Sequence, residues 1–124
     1  MRTLPGVTGR VVEHYLQSLT AHDWHRFAAC LADDFVRVGP YGDTYSSKAE
    51  YVAFISDLMP TLPGYSMDVT RVSYADRVAY AELSETVTVD EKPLRTPECI
   101  TFDLTDDGLI SRIEVFIQTL PGAK

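Results

Sequence analysis

Residues 77–104 read RVAYAELSETVTVDEKPLRTPECITFDL. From Arg77 to Val89 the chain alternates. Its odd positions carry Ala79, Ala81, Leu83, Glu85, Val87 and Val89, and its even positions are mostly polar. From Leu94 to Leu104 the parity reverses, and Leu94, Thr96, Glu98, Ile100, Phe102 and Leu104 share a face. An extended chain points successive side chains to opposite faces, so a period of two predicts two strands that each bury one face. Asp90-Glu91-Lys92-Pro93 between them is turn chemistry and makes the pair a hairpin. Folding about these four residues sets Glu85 close to opposite Glu98. Both then lie on the apolar face, where a carboxylate is costly unless it is paired, protonated or turned toward a wet cavity.

Outward from the hairpin, Asp106-Asp107-Gly108 predicts a tight turn and residues 109–119 a last strand, while Tyr65 to Tyr74 predicts an earlier one. Upstream the period changes to that of a helix. Val11, Val12, Tyr15, Leu16 and Leu19 form one apolar stripe, with Thr8 as a candidate cap and Ala21 as the end. Asp23 caps a short second helix carrying Trp24, Phe27, Cys30 and Leu31. Phe35 to Val38 reads as a short strand and Gly39 to Asp43 as a loop. Ser47-Lys48-Ala49-Glu50 matches a capping box, and Tyr51, Phe54, Ile55, Leu58 and Met59 continue a third helix that Pro60 and Pro63-Gly64 end. The order helix, helix, strand, helix and then a four-strand meander predicts one α+β domain over residues 1–124, with an antiparallel sheet against three N-terminal helices.

The chain has 124 residues, 45% of them hydrophobic, which suits one globular domain with a sizeable core. A net charge of −7, with no basic run, argues against a nucleic-acid partner. No apolar stretch approaches membrane length, and the first residues carry no signal-peptide pattern. Two cysteines, Cys30 and Cys99, form no disulfide framework, so a cytoplasmic location is expected. His22 and His25 have no ligand-like spacing with acids, and no metal or cofactor is expected.

Val11-Val12-Glu13-His14-Tyr15, Ala32-Asp33-Asp34 before a short strand and Gly39-Pro40, and Asp107-Gly108-Leu109-Ile110 before the last strand resemble the nuclear transport factor 2-like superfamily. Within it the chain is most similar to SnoaL-like and ketosteroid-isomerase-like proteins. The resemblance implies a cone-shaped curved sheet, a deep apolar pocket on its concave face, and a homodimer through the outer sheet face. It also implies that Tyr15 stands where steroid isomerases carry a tyrosine oxyanion donor. Their base aspartate falls at Gly39 here, and their second donor aspartate at Ile100. An aspartate that cyclases and hydrolases of the group often carry falls at Gln118. Ordinary ketosteroid isomerase activity is therefore not expected. Asp43, in the loop that rims the pocket in this fold, is a carboxylate displaced from Gly39 by several residues.

Two close carboxylates in a low-dielectric site cannot easily both ionise. One then keeps a proton to donate to a carbonyl or epoxide oxygen, and the other abstracts a proton or positions a water. The expected function is cofactor-free acid/base catalysis, of isomerase, cyclase or hydrolase type, on an apolar carbonyl- or epoxide-bearing metabolite. Glu85, Glu98 and Tyr15 are its candidate catalytic groups. Candidate pocket residues are Arg37, Trp24, Tyr41 and Phe54, with Leu83, Ile100, Phe102, Ile113, Val115 and Ile117 from the sheet. The alternative is a non-catalytic binding or accessory protein in which Glu85, Glu98 and Arg37 form a structural polar cluster. A hairpin register shifted by one residue would instead send one glutamate to solvent.

Overall fold

The computed structural model of the protein describes residues 11–119. Thr8, the candidate cap, lies outside them. Helix α1 (Val11–Ala21) buries Val11, Val12, Tyr15, Leu16 and Leu19, the stripe its periodicity marks. Helix α2 (Trp24–Ala29) starts at Asp23, whose carboxylate accepts from the Arg26 amide at 3.2 Å. Helix α3 (Lys48–Leu58) opens on the expected box. The Glu50 amide donates to Ser47 Oγ at 3.0 Å, and Glu50 Oε1 accepts from the Ser46 amide at 3.1 Å. Asp23 and Ser47 thus satisfy amides that the first helical turn leaves unpaired, and Glu50 holds the amide one residue before the Ser47 cap. One 3-10 turn, Met59–Thr61, follows α3.

Six strands form one curved, unclosed sheet: β1 (Leu31–Val38), β2 (Thr44–Tyr45), β3 (Ser66–Ala75), β4 (Val78–Val89), β5 (Lys92–Leu104) and β6 (Ile110–Ile117). Their order is β2-β1-β6-β5-β4-β3. Strands β3 to β6 are the expected meander. The sheet is mixed rather than antiparallel, because β1 runs parallel to β6. Leu31, expected in the second helix, begins β1, and Tyr45 beyond the predicted loop pairs with Arg37. The three helices cover one face. There Ala79, Ala81, Leu83, Ile100, Phe102, Leu104, Ile113 and Val115 are buried, as the alternation requires. Burying a large side chain such as Phe102 contributes about 1.5–3 kcal/mol. Alternation continues past the helical cover, so Val89 and Leu94 keep the inner parity while lying exposed near the hairpin tip. The architecture is the α+β cone expected of a nuclear transport factor 2-like domain.

Candidate active site

The hairpin turn has two residues, Asp90 and Glu91, both at positive φ, and not the four expected. Lys92 pairs with Val89, Thr96 with Glu85, and Glu98 with Leu83. Shortening the turn by two slides the register by two. Glu85 and Glu98 are therefore diagonal neighbours, not opposite ones. An even slide keeps both on the inner face, whereas a slide of one would have expelled one of them. Diagonal positions lie about 7–8 Å apart at the backbone, a gap that two glutamate side chains close.

Both glutamates are half-buried. The Tyr65 hydroxyl donates to Glu85 Oε2. Burial, a hydrogen bond to Glu85 and the negative charge of Glu85 push the Glu98 carboxyl up to about 9, against an opposing pull from Arg37. Glu98 is thus an acid that keeps its proton at neutral pH beside an acceptor, Glu85. Tyr65 is pushed well up by burial and then by the Glu85 charge, so it stays a phenol and a donor.

Behind the pair lie Tyr15 and Tyr51, each 2% exposed, with their hydroxyl oxygens 2.7 Å apart. Burial raises both phenols, and the Arg37 charge partly offsets it. Tyr15 stacks on Phe27 at 4.8 Å and meets the edge of Phe102 at 5.8 Å. Its hydroxyl is engaged by Tyr51. Arg37 turns inward as its parity requires, but its ion pair is with Asp43, at 3.0 Å from Nη1 to Oδ2. Its guanidinium carbon lies 5.6 Å from the Tyr51 ring centre and 5.9 Å from that of Phe54.

Leu83, Ile100, Phe102, Ile113 and Val115 sit in the core, and Ile117 packs half-buried against it. Phe54 stacks on Tyr45 at 4.4 Å, and Trp24 meets the edge of Phe27 at 5.3 Å. Tyr41 is 79% exposed on its loop. A groove of about 470 Å³ runs beside the end of β6, with Glu98, Leu83 and Ile117 in its lining together with Cys99 and Phe116. Another, of about 570 Å³, lies between α2 and α3. Among the described residues, no cluster of three or more His, Cys, Asp or Glu side chains could hold a metal ion.

Tyr65, Tyr51 and Asp43 escaped sequence reasoning as partners of the named residues. Tyr65 shares the inner parity of Met67, which pairs with Glu85, so the strand pattern already carried that signal. Asp43 reaches Arg37 through a turn whose path no periodicity encodes. A Cβ at Gly39 would collide with the Asp43 carboxylate. The space that a side chain at position 39 would enter is therefore filled from residue 43.

Several known proteins share this architecture. A structure from Kribbella flavida, provisionally assigned as a ketosteroid isomerase, superposes with a TM-score of 0.79 at 23% identity, over 94% of this chain and 82% of that one. An LEH-like epoxide hydrolase of M. tuberculosis gives 0.76 at 18% identity, over 88% and 80%. A Shewanella denitrificans protein provisionally assigned as a SnoaL-like polyketide cyclase gives 0.77 at 10%, over 93% and 92%. Identities this low establish shared fold. No curated protein sequence matches the chain. Residues 12–113 match the model of the SnoaL-like domain family, and the chain belongs to that family.

Proposed function

We propose that the protein is a cofactor-free acid/base enzyme acting on an apolar carbonyl- or epoxide-bearing metabolite, by isomerisation, cyclisation or hydration. Glu98 donates its proton to the substrate oxygen as charge develops there, and Glu85 accepts a proton from carbon or from an attacking water. Tyr65 orients Glu85 through its hydrogen bond. The Tyr15–Tyr51 hydroxyl pair forms the back wall, and Arg37 tunes the acids from the far side. The observation that carries this reading is geometric: two half-buried glutamates stand at diagonal positions on the inner face, where burial and the neighbouring carboxyl push Glu98 up to about 9. The pairing of Arg37 with Asp43 also supports it, because the glutamates are not neutralised in a buried ion pair with that arginine. The proposal includes a cytoplasmic location and a homodimer through the outer sheet face, where Tyr80 and Phe116 are exposed. Among the described residues, no helix is long and apolar enough to cross a membrane.

The second reading is a binding or accessory protein. It is favoured by hydroxyls already paired within the cluster, Tyr15 with Tyr51 and Tyr65 with Glu85. Turnover of a panel of apolar epoxides and enolisable ketones separates the two. The enzyme reading expects measurable turnover in the wild type and a loss of about 10²–10⁴-fold in Glu98→Gln and in Glu85→Gln, the usual contribution of a general acid or base. Unchanged turnover in either variant removes that residue from the mechanism, and an inert wild type favours the binding protein.

A further inference from the structure

We propose that the Pro63-Gly64 turn, seated on Thr88, is a positioning device that holds the Tyr65 hydroxyl on Glu85, and that this contact makes Glu85 the base of the pair and Glu98 the acid. The inference rests on the acid/base reading of the same inner face and adds what divides the two roles.

The clamp is built on backbone. Helix α3 and the 3-10 turn end at Leu62, whose amide donates to the Met59 carbonyl at 3.2 Å. The Pro63 carbonyl then accepts from the Thr88 amide at 2.8 Å, which ties the connection to β4 before β3 begins. Ser66 pairs with Thr86 and Met67 with Glu85. Continuing that register sets Gly64 opposite Thr88 and Tyr65 opposite Val87. Gly64 takes φ +64°, a left-handed conformation that glycine adopts without a Cβ penalty. A Cβ there would also collide with Thr88 Oγ1. Glycine thus lets the turn close against β4 on both counts. This seating fixes where Tyr65 leaves the turn, diagonal to Glu85 on the inner face, and its hydroxyl donates to Glu85 Oε2.

Little else separates the two glutamates. Both are half-buried on one face. Their strand neighbours Met67, Thr96 and Ile117 carry no charge. Tyr15 from α1 and Tyr51 from α3 stand behind the pair with their hydroxyls joined to each other. Arg37 from β1 pulls Glu98 toward its charged form, which works against the assignment. Tyr65 breaks the symmetry the other way. It lies close enough to Glu98 to feel its charge, yet its hydrogen bond goes to Glu85. An ionised carboxylate only accepts, and each hydrogen bond donated to it favours the charged form. Glu85 accepts from the phenol, so the proton of the pair stays on Glu98. Without the phenol, two carboxyls in similar surroundings share that proton.

Carbon-detected NMR titration of the full chain tests this, with Glu85 and Glu98 each assigned by its Gln variant. In the wild type the Glu98 resonance is expected to carry the alkaline step alone. Tyr65→Phe keeps the ring and removes the donor, and about half of that step is expected to pass to the Glu85 resonance. Gly64→Ala keeps Tyr65 but pushes the turn off Thr88, and is expected to give the same split. Adding Thr88→Ala to Gly64→Ala removes the colliding oxygen and is expected to return the step to Glu98. A step that stays on Glu98 alone in Tyr65→Phe overturns the assignment of roles. One that does so in Gly64→Ala, or a split that persists in the double variant, overturns the clamp. A wild type with no alkaline step on either glutamate overturns the acid/base reading itself.

Discussion

Glu98 keeps its proton because burial penalises its charged form, and the hydrogen bond to Glu85 and that group's charge add to the effect. That has a consequence for stability. The unfolded carboxyl releases its proton near 4.5, and the folded one near 9. Between those values the folded state holds one proton more than the unfolded state, so this contribution is complete below about pH 4.5 and is lost as pH rises toward 9. Glu98→Gln removes the dependence. The melting temperature of the variant relative to the wild type should therefore climb steadily from pH 5 to pH 9. Parallel curves would mean that Glu98 titrates as an ordinary carboxylic acid. The face occupied by both glutamates was legible because parity survives any even error in register. The protonation of Glu98 was not, since it depends on how deeply the fold buries it and on Arg37, which arrives from a distant part of the chain.

At the scale of elements, the β4–β5 hairpin decides where the glutamates meet. Asp90 at φ +51° and Glu91 at φ +65° take left-handed conformations that cost ordinary residues roughly 1–2 kcal/mol each. Asn-Gly suits such a two-residue turn far better. The double variant Asp90→Asn/Glu91→Gly should gain about 1 kcal/mol in chemical denaturation and retain wild-type activity, since the register is kept. A loss of stability would show that the turn is held by something other than its backbone geometry. Four-residue turn chemistry was read here because Pro93 and Lys92 look like turn residues, yet both lie in β5. Cap signals were more reliable: Asp23 and Ser47 start their helices as expected, because a cap is a local hydrogen bond. The parallel pairing of β1 with β6 has no local signature, since it depends on where α3 and the meander carry the chain.

For the whole molecule, the helices close one face of the sheet and leave the other with Phe116 at 51% and Tyr80 at 43% exposure. A homodimer through that face should give a two-chain mass in sedimentation. Phe116→Asp, which puts a charge into the apolar contact, should give a one-chain mass with an unchanged circular dichroism spectrum. A dimer that persists in the variant would place the contact elsewhere. The α+β layering was legible in the order of helices and strands, since each amphipathic element needs a layer to cover its apolar face, whereas the cone was implied by the family resemblance. Its walls were not: Leu83, Ile100, Phe102, Ile113 and Val115 read equally as lining or as filling, and burial makes them filling. What remains for chemistry is the polar cluster around one retained proton. Carbon-detected NMR titration of the glutamate side-chain carboxyls, with Glu98 assigned by its loss in Glu98→Gln, measures that proton directly. A Glu98 resonance that moves near pH 9 is the predicted result, and one that moves between pH 4 and 5 would contradict the acid/base pair.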